Sequence, residues 1–225
     1  MPVAKTKHLA FGTAVHSALF DFLAQFNATG TIPKAGYVTR RFLAHLDREI
    51  LSDAERADAR ELGTEALRRY VQQYAQSFSP GSLLEYDFRR HGVHVDDIRL
   101  TGKLDKIEIV DEAKKLVVVV DYKTGNPDSA ARHFRNGGGD YWRQLVFYKL
   151  LTELSPQFPY TMVRGELDFI QPSRRTGQFI KKAYEVSPSD TKELAETIRQ
   201  VWSEIKALKF LEAEGCGECE YCLRA

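Results

Sequence analysis

The stretch "VVVVDYKTGNP", Val117 to Pro127, decides the fold. Four consecutive valines predict a strand that is covered on both faces and therefore lies in the middle of a sheet. The strand ends in an acid, skips one residue and presents a lysine. Side chains alternate along a strand, so Asp121 and Lys123 share one face while Tyr122 points to the other. The end of this strand is therefore a candidate site for chemistry.

The segments around this strand predict an α/β fold. Apolar spacing predicts helices over 11–26, 38–50 and 53–77, the last with Ser52 as N-cap and Glu55 closing a capping box. Strand patterns occupy 82–110, with Gly92 as a break, and return at 163–171 and 177–186. A buried helix over 141–154 and an amphipathic helix capped by Ser189 or Asp190 complete the pattern. We expect a central mixed β-sheet flanked by helices, with a helical N-terminal part.

Length and composition favour one soluble domain. The 225 residues contain 43% hydrophobic and 28% charged residues, which is ordinary for a globular protein. We expect a single domain over 1–225, with a helical part (1–80), a sheet core (81–185) and a C-terminal helix and tail (186–225). A net charge of +1 identifies no partner. The absence of a long apolar run and of a signal-peptide core predicts a cytoplasmic protein.

Two carboxylates are expected to meet across a hairpin formed by "GKLDKIEIV" and "LVVVVDYK". If the connecting loop has an odd number of residues, for example 112–114, Asp105 lies opposite Asp121. Like charges placed opposite each other destabilise a sheet, and a divalent cation is the simplest compensation. Oxygen ligands suit Mg²⁺, and Lys123 on the same face can orient a water or neutralise charge. The alternative is a solvated turn, since an acid and a lysine two residues apart are common at strand ends.

These residues carry a resemblance to a known family. Gly102 to Asp105 (G-x-x-D), followed by Asp121 to Gly125 (D-Y-K-T-G), resembles the PD-(D/E)xK nuclease superfamily. The similarity is greatest to its RecB-type branch, found at the end of UvrD-like helicases and in CRISPR-associated exonucleases, and runs from Phe11 to about Tyr148. It implies a restriction-endonuclease-like core and a deoxyribonuclease that uses Mg²⁺, or Mn²⁺ in its place. It also implies an exonuclease of recombination or repair that leaves 5′-phosphates, with DNA and a UvrD-like helicase, attached or separate, as partners.

The resemblance also assigns candidate metal ligands. Gly12 to His16 matches the G-x-x-x-H of the family's opening helix. The resemblance implies that His16 is a metal ligand, together with Asp105, Asp121 and the backbone carbonyl of Tyr122. The alternative for His16 is a satisfied core histidine. Glu85 in "LLEYDF" resembles the family's acid near the metal, although a strand residue that faces solvent is nearly as good an interpretation.

A further motif of the family lies on the predicted helix over 141–154. Gln144 and Tyr148 match Q-x-x-x-Y, and residues four apart share a helix face. In the family this pair lies next to the active site and DNA; the alternative is a buried polar pair.

Basic side chains after the site are candidate DNA contacts. Arg132 and Arg135 lie in a Gly-rich loop and Arg143 near the start of the next helix, where they would hold phosphates without reading sequence. Each is also acceptable as a solvated surface charge. Tyr141 and Trp142 could stack on an unpaired base, but core packing is favoured. A rival metal cluster in a predicted hairpin turn comprises His91, His94, Asp96 and Asp97.

The three cysteines, Cys216, Cys219 and Cys222, form a C-x₂-C-x₂-C tail. Three thiolates are one short of a [4Fe–4S] cluster or a tetrahedral Zn²⁺ site. In the branch with an iron–sulfur cluster the missing cysteine lies just ahead of G-x-x-x-H, where this chain offers only His8. We therefore expect an incomplete iron–sulfur or zinc site, with reduced thiols as the alternative.

Two rival functions are a catalytically silent DNA-binding module and a metal-stapled interaction module attached to a helicase.

Overall fold

The computed structural model describes residues 6–130 and 139–209. Three helices come first: α1 (Lys7–Thr29), α2 (Ala35–Leu46) and α3 (Asp53–Tyr74). Five strands follow: β1 (Leu83–Asp87), β2 (His94–Val95), β3 (Ile98–Arg99), β4 (Lys103–Asp111) and β5 (Leu116–Lys123). The remaining elements are α4 (Asp140–Leu154), β6 (Thr161–Phe169), β7 (Lys181–Tyr184) and α5 (Pro188–Lys206).

The main sheet has the strand order β1-β4-β5-β6-β7, with β5 in the centre. β5 runs parallel to β6, whereas β1–β4, β4–β5 and β6–β7 are antiparallel. Val118 and Val120 face a core built with α1, α2 and α3, and Val117 and Val119 face a second core built with α4. The valine run is continuous because both faces of β5 are covered. The predicted mixed sheet with helices on both sides is confirmed.

The β4–β5 hairpin reaches its register through a bulge. Lys106 pairs with Val120, and the ladder continues to Ile109 and Val117 before it shifts, so that Asp111 pairs with Leu116. The connection therefore contains four residues (112–115), not the odd number expected, and the extra residue of the bulge restores the alignment. One step beyond the Lys106–Val120 pair, Asp105 stands opposite Asp121.

Capping residues set the helix boundaries. The capping box of Ser52 and Glu55 at the start of α3 is confirmed. The prediction of Ser189 or Asp190 as the cap of α5 is wrong: the N-cap is Ser187, with proline at the next position. Asp190 instead returns its carboxylate to the Ser187 backbone amide at 2.8 Å, so it is the third residue of the same motif.

Helix α1 is long and apolar enough to span a membrane by length and composition alone. Its apolar side chains, among them Ala14, Ala18 and Phe22, lie in the core against the sheet and the other N-terminal helices. Burial in the core therefore accounts for its composition, and its opposite face is free to line a site.

Candidate active site

Three elements converge at one edge of the sheet and bring together a group of potential metal ligands. α1 contributes His16, β1 contributes Glu85 and β4 contributes Asp105, and one ligand atom of each lies within 4.8 Å of the others. The Nδ1 atom of His16 is 3.2 Å from Oδ1 of Asp105. In residues 6–130 and 139–209 this is the one such group of three. All three residues line a cleft of about 770 Å³.

Gly12 allows α1 to approach the end of β5. A Cβ atom at this position would lie 3.2 Å from Oγ1 of Thr124, closer than most such contacts. His16 is one helical turn further on, so the same close approach carries its imidazole to the carboxylate of Asp105. In this motif the glycine thus allows the helix to approach the strand, and the histidine places its ring next to Asp105.

Glu85 interrupts the ladder between β1 and β4. Its φ of +49° lies in the left-handed region, which costs a residue with a side chain about 1–3 kcal/mol. Leu84 and Tyr86 on either side keep their partners on β4, so Glu85 sits at an irregular point opposite Asp105. The carboxylate of Glu85 forms an ion pair with Lys103, a residue whose role the sequence did not reveal.

Asp121 lies on the α4 side of the sheet and is held by the predicted polar pair of that helix. Its Oδ1 accepts hydrogen bonds from Nε2 of Gln144 at 2.9 Å and from the hydroxyl of Tyr148 at 2.7 Å. Its Oδ2 lies 2.7 Å from Nζ of Lys123 and forms an ion pair with it. Apart from this ion pair, Oδ2 is buried and has no hydrogen-bond partner among the described residues.

Lys123 is nearly enclosed, with 13% of its side chain exposed. Its ammonium donates a hydrogen bond of 2.5 Å to Oε1 of Gln144 and lies 4.2 Å from the ring centre of Tyr141. Gln144 thus joins the two charged residues, with its carbonyl on Lys123 and its amide nitrogen on Asp121. The cation–π contact gives Tyr141 a place in the site beyond core packing.

The backbone of Tyr122 connects the two parts of the site. Its amide nitrogen donates a 2.9 Å hydrogen bond to Oδ2 of Asp105. Its ring lies on the opposite face of the sheet and meets the ring of His16 edge to face, with centres 6.3 Å apart. β5 therefore orients Asp105 through its main chain while it presents Asp121 and Lys123 through their side chains.

The clustered acids of the site and their burial raise the pKa values of His16, Asp121 and Tyr148. Burial by itself would lower the pKa of His16, but Asp105, Asp121 and Glu85 outweigh it and raise the pKa above the ordinary 6.5. Burial also raises the pKa of Asp121; Asp105 adds to this effect and Lys123 opposes it. Tyr148 has a strongly raised pKa because it is buried next to Asp121, so it remains a hydrogen-bond donor.

The donor set fits a divalent metal ion. One imidazole nitrogen and two carboxylates converge within 4.8 Å, and Oδ2 of Asp121 is a buried oxygen without a hydrogen bond. Oxygen-rich sets of this kind suit hard cations, and one imidazole is compatible with them. Part of the expected repulsion is already offset within the chain, since Lys123 pairs with Asp121 and His16 with Asp105.

The structure does not bring Arg143 to the cleft. Arg143 pairs with Asp140 at 3.2 Å and lines a groove between α4 and α5, on another side of α4 from Gln144 and Tyr148. The other two candidate DNA contacts, Arg132 and Arg135, lie outside the described residues, as do Cys216, Cys219 and Cys222.

The rival histidine and aspartate cluster does not assemble. His91 and His94 bond to Ser155 and to the Gly92 carbonyl, whereas Asp96 and Asp97 pair with basic side chains of α5. These residues belong to the predicted hairpin, formed by β2 and β3, and each has a partner of its own.

Sequence comparison identifies the family. The model of the PD-(D/E)XK nuclease superfamily matches residues 2–224, so the chain belongs to this superfamily, and the convergence of His16, Glu85, Asp105, Asp121 and Lys123 occurs in a nuclease fold. No curated protein shows significant similarity to the sequence.

Two solved structures resemble the chain. One, from Eubacterium rectale, is described as a "putative exonuclease". It is 15% identical to this chain, and the alignment covers 100% of this chain and 76% of the other chain, with a TM-score of 0.51. This likeness concerns the fold alone. The structure of SSO0001 aligns at 16% identity over 89% of this chain and 79% of its own, and its TM-score of 0.36 carries no argument.

Proposed function

We propose that the protein is a divalent-metal-dependent DNA nuclease, an exonuclease of recombination or repair that hydrolyses phosphodiester bonds and leaves 5′-phosphates. The observation that carries the proposal is the position of the His16, Glu85 and Asp105 group beside the Asp121 and Lys123 pair. Membership of the nuclease superfamily supports the reaction class. A catalytically silent module would have no need for every one of these residues.

Mg²⁺ is the proposed cofactor, with Mn²⁺ able to replace it. His16, Asp105, Asp121 and the backbone carbonyl of Tyr122 would hold the ion, with Glu85 as a further ligand. When bound, the ion would acidify a water molecule and neutralise charge on the phosphate. The convergent carboxylates and the buried, incompletely bonded Oδ2 of Asp121 support this assignment.

The side chains on α4 position the reacting groups in this proposal. A protonated Lys123 has no lone pair for a metal, so it would act by orienting the attacking water or by stabilising negative charge on the phosphate. Gln144 holds Lys123 and Asp121 at once, and Tyr148 fixes the carboxylate of Asp121. Because these partners are buried or nearly so, the geometry is set before the substrate binds.

A RecB-type role beside a UvrD-like helicase belongs to the same proposal. So do phosphate contacts from Arg132 and Arg135, and an iron–sulfur or zinc site at the C-terminal cysteines. The cysteines are the part most directly open to test. Protein purified without oxygen should contain labile iron or substoichiometric zinc, since the tail has only three thiolates. Metal-free protein whose stability does not change when iron or zinc is supplied would reject this site.

The mode of cleavage can be read from the products. The protein should be incubated with linear DNA labelled at either end and with circular DNA, each single- or double-stranded, in Mg²⁺ or Mn²⁺. An exonuclease shortens linear DNA from an end and leaves circles intact, and its products carry 5′-phosphates. Cleavage of circles would reject the exonuclease mode while retaining the nuclease, and the absence of any metal-dependent cleavage would reject both.

A further inference from the structure

An aromatic ring is exposed in the candidate active-site cleft. Phe20 on α1 keeps 39% of its surface exposed, whereas Phe11, Phe22 and Phe26 on the same helix are buried. A single exposed apolar side chain needs no explanation by itself. Phe20 differs in its position, because it lines the same cleft as His16, Glu85 and Asp105.

The helical spacing places Phe20 at a short distance from the metal ligands. Phe20 follows His16 by four residues, so the two lie on one face of α1, about 6 Å apart along the helix axis. A nucleotide whose phosphate reached His16 and Asp105 would bring its neighbour over the ring of Phe20. The ring is thus within reach of a DNA strand that binds at the metal ligands.

The acids around Phe20 are neutralised by side chains of the fold. Oδ2 of Asp21 lies 2.7 Å from Nε of Arg41 and 2.6 Å from Nε2 of His45. Both of these basic residues belong to α2. The pairs lower the pKa of Asp21, against the opposing effect of its partial burial. Glu85 on the other side of the cleft is paired with Lys103. A phosphate beside Phe20 therefore meets paired carboxylates rather than free ones.

We propose that Phe20 is a stacking platform for an unpaired base of the DNA strand, one nucleotide away from the phosphate that is cut. The inference rests on the proposed nuclease function and assigns a subsite to it. The faces of a base within a duplex are covered by its neighbours, so an internal base must leave the duplex before it can stack on this ring. Stacking on an aromatic side chain depends on the ring face that all bases share, so the subsite selects unpaired strands rather than a sequence.

The test separates stacking from cleavage. Single-stranded oligonucleotides that carry 2-aminopurine near one end are titrated with protein in EDTA, where binding can be followed without metal-dependent turnover. The fluorescence of 2-aminopurine falls when the base stacks, and its strongest quenching should mark the position next to the cut. Phe20→Leu keeps apolar bulk without the aromatic face, and Phe20→Trp keeps the face. Leu154→Ala is the matched control, because Leu154 is equally exposed, at 39%, on α4 and does not line the cleft.

Phe20→Leu should lose the quenching and weaken single-strand binding by about 5- to 150-fold. Phe20→Trp should retain both, Leu154→Ala should bind as wild type, and blunt duplexes should be unaffected by any of the three. Unchanged binding and quenching in Phe20→Leu, or an equal loss with blunt duplex, would overturn the subsite. If wild type cleaves DNA but Phe20→Leu binds and quenches as wild type does, the subsite is rejected and the nuclease is retained. If Phe20→Leu loses the quenching but wild type cuts no DNA with any metal, the stacking role of Phe20 is retained and the nuclease is rejected.

Discussion

The ammonium of Lys123 lies 2.7 Å from Oδ2 of Asp121, with both side chains on the same face of β5. This pair is nearly enclosed, and Gln144 contacts both of its members. The fold therefore balances the charge of Asp121 from within the chain before a metal is considered. A metal ion would join, or partly replace, the contact between Lys123 and Asp121. Substitutions at these residues are therefore expected to change stability through the existing contacts and cleavage through the metal.

Isosteric replacement of either central acid should abolish cleavage and retain the fold. Asp105→Asn keeps an oxygen for the Tyr122 amide, and Asp121→Asn keeps one for Tyr148, but each removes a charge that the metal requires. DNA cleavage in Mg²⁺ and Mn²⁺ is the measurement, with circular dichroism to establish folding. Asp111→Asn, also on β4 but outside the lining of the cleft, likewise keeps an oxygen for a backbone amide, that of Lys114; it is the control and should cleave normally. Wild-type turnover in either asparagine variant would reject the assigned site.

Asp121→Ala should destabilise the protein far more than Asp121→Asn. Both variants leave the ammonium of Lys123 without a carboxylate, but only the alanine also removes the acceptor of both Gln144 and Tyr148. Each buried donor that is left without an acceptor costs about 1–3 kcal/mol. Urea unfolding in EDTA measures both variants. Equal stabilities would mean that the contacts around Asp121 add little to the fold.

Lys123→Ala should retain metal binding and lose turnover by about 100-fold or more. The ammonium offers no lone pair to a metal, and it holds its place through Asp121, Gln144 and the ring of Tyr141. Calorimetry with Mn²⁺ compares the affinity of the variant with that of wild type. If metal binding disappears together with activity, Lys123 contributes to the metal site rather than to the reaction.

Tyr148→Phe should lower activity by about 10–100-fold, since it removes a hydrogen bond that orients a proposed ligand. The same change should lower the free energy of unfolding by about 1–3 kcal/mol, because Oδ1 of Asp121 loses one of its two donors. Tyr160→Phe is the matched control: it also removes a hydroxyl bonded to a carboxylate, that of Glu112, but at an exposed position away from the cleft. Steady-state cleavage and urea unfolding measure the two effects, and similar behaviour of the two variants would contradict the role of Tyr148.

A second buried carboxylate predicts a pH dependence of stability. Asp168 is fully buried on β6, where its Oδ2 accepts a hydrogen bond from Tyr70 at 2.5 Å and lies 2.8 Å from Nζ of Lys181. Burial raises its pKa above the ordinary 3.8, and Lys181 and Tyr70 only partly oppose this. The folded protein therefore binds the Asp168 proton more tightly than the unfolded chain does.

The stability that this proton contributes is fully present below pH 3.8 and is lost as the pH rises through the pKa of the folded state. Asparagine at this position does not titrate. The free energy of unfolding of wild type, minus that of Asp168→Asn, should thus decrease from acid to neutral pH. Urea unfolding of both proteins across this range makes the comparison, and a difference that grows with pH would show that the pKa of Asp168 is lowered instead.

The sequence was sufficient for the fold class because the decisive pattern is local. Four valines require a covered strand, and the residues on both sides follow helical or strand spacing. The motifs at His16, Asp105 and Asp121 also have fixed spacings, and the structure places His16 against Asp105 and Asp105 opposite Asp121.

Features that depend on three-dimensional context could not be predicted. The bulge before Asp111 depends on how a four-residue connection closes, and a count of loop residues does not reveal it. The contacts of Lys103 with Glu85 and of Tyr141 with Lys123 join different elements, and neither has a sequence spacing that predicts it. The cap of α5 was misplaced because Ser187, Ser189 and Asp190 are all good capping residues, and proline after Ser187 favours the first.

Metal add-back to stripped protein tests the central claim most directly. Wild type, Asp105→Asn and Lys123→Ala are purified in parallel, treated with EDTA, and given end-labelled DNA without metal and then with Mg²⁺ or Mn²⁺. The account predicts no cleavage by any protein in EDTA, cleavage by wild type once metal is supplied, and little or none by either variant. Cleavage by wild type in EDTA, or equal metal-dependent cleavage by all three proteins, would contradict it.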